Sequence, residues 1–452
     1  MIRSPTRTAL LAAACLATGC AHYAPAPVQL DALPHRLETA RLDQKPPGAA
    51  WTSSDLLTAA LANNPTVAEA AARYGTALAA AKAARVAPSI TLTLTAEYAK
   101  DPSTSSRWLY GAGSDIPLDV GARRETRVTS ADLAAVQALY DYGETLWTVR
   151  TALRQAILAR QAADDELVLA RQWADLRRER AERLDRRVAA GEDERGLALT
   201  AHTDLNAAER RATEARGRRD AADAALAQAL GVSPAAVRSL TIAPDTAAPD
   251  LSDLPARRQA AALNRRDVLK AVVDYDLAEN ALRLEVAKQY PEVHLGPGYT
   301  WERGLTKLPF NLGMVLPPTD LNRAAIAQAE AKRAEAGRSL ESVQAAALGA
   351  IDQAQAALAS AQTSEAQITD RDLPTARRLA AATARSAQAG ETDKVDALQA
   401  EAATVEAQLA RADALKASAL AVVDLENGLR QPFSPTEAAV LDQAFKTLGA
   451  AP

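Results

Sequence analysis

Stepping alternately by three and four residues from Leu146 lands on Val149, Leu153, Ala156, Arg160, Ala163, Leu167, Ala170, Ala174, Arg177, Ala181, Leu184 and Val188, an apolar seam broken only by the two arginines. Such a repeat puts every one of these positions on one helix face, and Ala at many of them lets a partner backbone approach closely. The pattern therefore predicts a long helix from Ala122 to Ala190, packed as in a coiled coil. Between Ser89 and Tyr98 the period changes to two: Ile90, Leu92, Leu94, Ala96 and Tyr98 alternate with Thr91, Thr93, Thr95 and Glu97. That is a strand with one apolar and one wet face. After the turn-rich stretch Asp101 to Ser106, a second strand is expected from Arg107 to Leu118, with Trp108, Tyr110, Ala112 and Ile116 on one face.

These elements recur. Asn64-Pro65 opens a helical run that ends at Pro88, and Arg266-Asp267 opens one that ends at Pro291, at offsets of 202 and 203 residues. Ile116-Pro117-Leu118-Asp119 corresponds to Leu316-Pro317-Pro318-Thr319, and Ala190-Gly191-Glu192 to Ala389-Gly390-Glu391 at an offset of 199. Anchors in near-constant register indicate a duplicated unit of about 200 residues. The first copy, 52–231, reads as helices Thr52 to Ala87, Ala122 to Ala190 and Glu194 to Leu230, with strands at 89–98 and 107–118. The second, 255–430, reads as helices Pro255 to Tyr290, Asn322 to Ala389 and Asp393 to Leu429, with strands at 292–301 and 308–316. Pro374 falls inside the long helix of the second copy and predicts a kink. The stretch 232–254 carries Pro234, Pro244 and Pro249 and reads as a linker, with 431–452 as a C-terminal tail. At 1.5 Å per residue the long helices span roughly 100 Å and the flanking ones roughly half of that. Two half-length helices end to end then match one long helix, a proportion suited to a cylinder wall.

Composition narrows the setting. Aromatic residues make up only 4% of the 452 residues, yet six of the 17 (Tyr98, Trp108, Tyr110, Tyr299, Trp301 and Phe310) fall in the four strands. Aromatics near the ends of strands of 9 to 12 residues suit a membrane barrel. Four strands cannot close into a pore, and an open sheet edge in hydrocarbon leaves backbone groups unpaired, so several copies must share one barrel. Three copies give twelve strands. No run approaches the roughly 18 apolar residues of a spanning helix. The net charge of -4 gives no global basic footprint for nucleic acid.

The N-terminus has a basic start, Arg3 and Arg7, and an apolar core from Thr8 to Gly19, the layout of a signal peptide over 1–19. Its end, Leu16-Ala17-Thr18-Gly19-Cys20, resembles a bacterial lipobox, which implies a mature chain beginning at a lipidated Cys20 and an N-terminal extended segment over 20–51. A plain secretory signal cut near Ala21 or Ala24 is the other reading. No phosphate loop, paired Cys or Ser nucleophile elbow argues for an enzyme. Met314 and the scattered His22, His35, His202 and His294 form no cluster at metal-ligand spacing, so no cofactor is expected beyond the covalent lipid on Cys20.

The order of these motifs resembles the TolC family of outer membrane efflux proteins. The match runs from Asp55-Leu56-Leu57-Thr58-Ala59-Ala60-Leu61-Ala62-Asn63-Asn64-Pro65 to Leu429, with Pro117-Leu118-Asp119-Val120-Gly121-Ala122-Arg123-Arg124 after the second strand. The resemblance implies a mainly α fold with a small β part. Each homotrimer would hold a long antiparallel α-helical coiled-coil barrel in the periplasm and one twelve-stranded transmembrane β-barrel. It also implies a lipid-anchored outer-membrane exit duct working with a periplasmic adaptor and an inner-membrane pump. A finer similarity, Leu316-Pro317-Pro318-Thr319-Asp320-Leu321-Asn322-Arg323-Ala324-Ala325-Ile326, is to the CzcC-like heavy-metal efflux branch, against which export of drugs or other solutes stays open. The family's constriction pattern, Val-Asp-x-Leu-Asp-Ala, resembles Val395-Asp396-Ala397-Leu398-Gln399-Ala400 and makes Asp396 and Gln399 candidate constriction residues. Gly191, Glu192, Gly390 and Glu391 are the candidate adaptor-contact tips, with Arg187, Arg195 and Lys394 as rim charges. The rival reading is a periplasmic coiled-coil scaffold lipoprotein without channel activity, which explains Cys20 and the heptads but not two apolar-faced hairpins at duplicate positions.

Overall fold

The computed structural model describes residues 23–449 apart from 41, 43–44, 46–48, 99, 101–106, 119–120, 245–248 and 303, so Cys20 and the signal segment lie outside the described residues. Residues 1–40 and 41–452 are two units. In the first, the segment read as extended carries a short helix, α1 (Ala32–Thr39). Pro34 sits in its first turn, where a missing N–H forfeits no helical hydrogen bond.

In the second unit, α2 (Ser53–Asn63) and α3 (Pro65–Ala84) replace the single helix expected from Thr52 to Ala87. A residue before proline is pushed out of the helical region, and Asn64 is extended at φ −71°, ψ 121°. Its side chain then caps α3 by accepting from the Thr66 N–H at 3.0 Å. The duplicate breaks at the same place without a proline. Between α7 (Leu254–Asn264) and α8 (Arg266–Ala287), Arg265 is extended and buried. Its guanidinium donates to the Gly428 carbonyl at 2.5 Å and to both Asp267 carboxylate oxygens, so tertiary contacts hold a break that the local sequence does not announce.

The centre of the molecule is α4 (Arg123–Ala189), followed by α5 (Arg195–Leu230). All twelve seam positions of α4 from Leu146 to Leu184 are buried, the two arginines included. α5 faces them with Ala201, Ala208, Ala215 and Ala222, one per heptad and all buried, the small side chains that close coiled-coil packing needs. Arg160 pairs with buried Asp223 of α5, which also accepts from Arg219 at 2.7 Å. Charges enter a seam when they arrive with partners. After the short α6 (Pro234–Val237), the second copy repeats the plan with α9 (Arg323–Gln367), α10 (Leu373–Gln388) and α11 (Lys394–Leu429). Pro374 does not end the helix. A π-helical turn, Ile368–Asp372, precedes it and gives the ring room that an α-turn would deny.

The strands form one sheet: β1 (Thr91–Tyr98), β2 (Trp108–Leu118), β3 (Glu292–Glu302), then β4 (Leu305–Lys307) and β5 (Phe310–Val315), which both pair with β3. The strand expected at 308–316 is β5, and the short β4 just before it was not expected; Pro309 between them has no N–H to give to the ladder. Its carbonyl still accepts from the Gly298 N–H at 2.8 Å. All neighbours are antiparallel, and β2 pairs with β3 across the two copies. Of the described residues 73% are helical, beside this small sheet.

The C-terminal stretch is a helix rather than a tail. α12 (Pro435–Gly449) docks through Glu437, which is 1% exposed. Arg150 of α4, equally buried, lies 2.7 Å from both Glu437 and Glu426 of α11, and Glu437 also accepts from Ser53 of α2 at 2.6 Å. Four helices therefore meet at one buried guanidinium. Replacing it alone takes the shared guanidinium from two buried carboxylates, leaving the Phe433 N–H on Glu426 and Ser53 and Arg154 on Glu437, so Arg150→Ala should cost about 3–5 kcal/mol. A thermal melt that does not move would contradict this.

Candidate functional site

Two ends of the body concentrate chemistry. At the far end of α4 from the strands, the chain turns in the same way twice. The Gly191 N–H donates to the Val188 carbonyl at 3.1 Å and the Glu192 N–H to Arg187 at 2.9 Å, while Gly390 and Glu391 do the same with Ala387 and Ser386 at 3.2 and 2.9 Å. Both glycines have φ +76°, the left-handed geometry that ends a helix in a Schellman turn. A Cβ at either would meet nothing, so the demand for glycine is conformational and not a matter of space. Glu192 and Glu391 are exposed beyond these turns.

The two tips are tied to each other. Arg187 contacts Asp193 of the first tip at 2.8 Å and pairs with Asp393 of the second. Asp393 also caps α11 through the Val395 N–H at 3.2 Å. Val395 inserts into the seam of the first copy beside Ala181, Leu184, Ala198 and Ala201. Asp396 is exposed, beside buried Val395, Ala397 and Leu398. Among the described residues, no ion pair engages its carboxylate. Gln399 is differently placed: its side-chain oxygen accepts from Arg177 at 2.6 Å, and Arg177 also reaches Glu406 of α11 at 2.8 Å and Asp204 of α5 at 3.3 Å. Of the rim charges, Arg187 is therefore a link between tips, and Lys394 lies 3.9 Å from Glu401. The sequence showed Arg177 only as a break in the seam; an arginine at such a position is the signal that carboxylates approach from neighbouring helices.

At the other end the sheet sorts its residues by face. Register puts Tyr98 opposite Trp108, Tyr110 opposite Trp301, Ala112 opposite Tyr299, Leu295 opposite Leu312 and Val293 opposite Met314. The rings of Tyr98, Trp108, Tyr110 and Trp301 follow one another at 5.1, 5.9 and 6.0 Å. Leu94 is 74% and Phe310 67% exposed, an apolar face with no cover from its own chain. The opposite face carries Thr93, Thr95, Glu97, Thr300 and Glu302, with His294 3.1 Å from Asp115. Among the described residues no helix is long and apolar enough to cross a membrane, and no three His, Cys, Asp or Glu side chains are placed to hold a metal ion.

A family model described as outer membrane efflux protein matches residues 56–232 and 258–429, one stretch on each side of the proline-containing connection. The chain belongs to the outer membrane efflux protein family. This efflux protein shares its fold with solved channels at low identity. It is similar to the outer membrane protein VceC of Vibrio cholerae, with a TM-score of 0.68, 18% identity, and coverage of 84% of this chain and 97% of that one. For the Campylobacter jejuni outer membrane channel CmeC the values are 0.67, 14%, 94% and 98%. For the outer-membrane channel OprN they are 0.70, 19%, 92% and 99%. No curated protein sequence matches the chain. Membership makes the efflux protein a transport component of the outer membrane and not an enzyme. The conformational demand at the two tip glycines can be tested. Gly191→Ala or Gly390→Ala forces a left-handed residue with a Cβ and should cost about 1–2 kcal/mol locally. Faster amide exchange at 186–194 or 385–393 checks this, and unchanged exchange would refute it.

Proposed function

We propose that three copies of this chain form the exit duct of a tripartite export system, each giving four strands to one barrel and its helices to one periplasmic tunnel. The observation that carries the reading is the sheet: apolar on one face, polar on the other, with both edge strands unpaired, at one end of a helical body roughly 100 Å long. The tunnel conducts passively, and an inner-membrane pump supplies cargo and energy. A lipid on Cys20 holds the N-terminus in the inner leaflet. The tips at Gly191-Glu192 and Gly390-Glu391 receive the helical hairpins of a periplasmic adaptor, through small residues and exposed carboxylates.

Threefold symmetry makes Asp396 a ring at the narrow end, with Gln399 held beside it by Arg177. Like charges converging on one axis repel, and a cation or proton relieves them. Cargo selection lies with the pump, whether the cargo is the metal cations of the CzcC-like branch or another solute, because the described residues of the duct assemble no ligand set.

In planar bilayers, Asp396→Ala should raise single-channel conductance or weaken block by divalent cations; unchanged recordings would remove Asp396 from the gate. Membrane extraction separates the duct from a coiled-coil scaffold. With Cys20→Ala exported by a plain signal, a duct still needs detergent and runs as a trimer, whereas a scaffold washes off in buffer.

A further inference from the structure

Where the sheet joins the helices, the two copies differ. α4 opens with Arg123-Arg124-Glu125-Thr126-Arg127, and α9 opens with Arg323-Ala324-Ala325-Ile326-Ala327. Both helices follow a left-handed residue, Ala122 at φ 65° and Asn322 at φ 62°, so these positions are structural equivalents. Duplication alone does not account for the two extra arginines of the first copy.

Arg123, Arg124 and Arg127 line a cleft of about 210 Å³ with Leu118, Glu292 and Val293. Arg123 is fixed there. It pairs with Glu292 and donates from Nη2 to the Tyr290 carbonyl at 2.9 Å, while its Nε is buried without a hydrogen-bond partner. Arg124 donates to the Arg85 carbonyl at 2.8 Å, and Arg124 and Arg127 are both exposed one helical turn apart. A second cleft of about 420 Å³ lies against Arg85 and Arg124, with Glu125 its only acidic wall, and Arg85 itself is paired with Asp132 at 2.8 Å. Several arginine Nε atoms among the described residues are buried without an acceptor, and Arg123 is the one of them that lines this cleft.

The location names the chemistry. Leu118 and Val293 are paired residues on the apolar face of β2 and β3, at the end opposite the aromatic rings, where the strands hand over to the helices. The cleft thus starts where the apolar face stops, at headgroup depth on the side of the membrane that holds the helices. Guanidinium groups present forked donors matched to phosphate oxygens, and basic residues just beyond an apolar span attract anionic lipid.

We propose that the Arg123, Arg124 and Arg127 cleft binds the phosphate of an anionic phospholipid in the inner leaflet, one per protomer. The proposal rests on the membrane reading of the sheet. Its occupant is a phosphodiester whose acyl chains run up the apolar face beside Leu118 and Val293. The single arginine of the second copy leaves the equivalent junction without such a site.

The test is native mass spectrometry of the intact trimer in mild detergent, titrated with phosphatidylglycerol or phosphatidylethanolamine. Wild type should retain up to three phosphatidylglycerols per trimer, at least about tenfold more tightly than phosphatidylethanolamine. R124A/R127A should lose that preference about tenfold while its trimer mass persists, and Arg73→Ala, at an exposed site on α3, should change nothing. Equal retention of both lipids by wild type, or an unchanged preference in the double variant, overturns the proposal. So does inorganic phosphate taking the site in place of the lipid. If wild type itself is a water-soluble monomer, the membrane reading has failed and the lipid site falls with it.

Discussion

Backbone groups that cannot find a partner in hydrocarbon dictate the rest of this molecule. Each unpaired N–H or C=O costs several kcal/mol there, and a four-stranded sheet exposes two rows of them. In this chain those rows are β1 on one side and β4 with β5 on the other. β1 cannot bend round to meet β5, because each strand runs directly into a long helix and four strands are too few to curve closed. In the proposed assembly another copy of the same chain satisfies the edges. Four antiparallel strands suit this, since the first and last then run in opposite directions and can pair between neighbours as they do within one protomer.

The helical body follows from that demand. In the proposed shared barrel, walls continue from every hairpin, and duplication supplies them with two equivalent helix sets per chain. Alanine at heptad spacing in α5 lets those walls be thin, with Ala201, Ala208, Ala215 and Ala222 buried against α4. Thin coiled-coil walls have little bulk to hold one helix pair to the next, and arginines serve instead, Arg150 and Arg177 buried and Arg187 half-buried. Arg177 joins α4, α5 and α11, Arg150 joins α4, α11 and α12, and Arg187 joins the two tips. A charge placed in a seam loses its hydration, so it tolerates only arrangements in which all its partners are present.

Periodicity made most of this legible. The seam from Leu146 to Leu184 is buried as its spacing requires, and alternation placed β1, β2 and β3 to within two residues. The TolC-like order of motifs pointed to the family that the chain belongs to. The losses have physical causes. The short β4 was missed because Pro309 withholds one donor and keeps it apart from β5, and the residue before Pro65 leaves the helix, both local effects that the motif reading passed over. Arg265 breaks its helix through contacts with Gly428, more than 160 residues away, which no local pattern encodes. At the tips the glycines were readable because positive φ selects for them. The partners of Arg177 and Arg187 were not, since they come from helices whose relative rotation only the fold sets.

The sharing of one barrel among identical chains is tested most directly by cysteine cross-linking between the outer strands. Paired substitutions drawn from Leu92 or Leu94 on β1 and Leu312 or Met314 on β5 lie on the same apolar face at opposite edges, with two strands between them within a chain and roughly 14 Å from each other. Mild oxidation of membranes should join different chains and yield a ladder that stops at three. Protein that stays monomeric under oxidation, with the same strands released into water, would contradict the account.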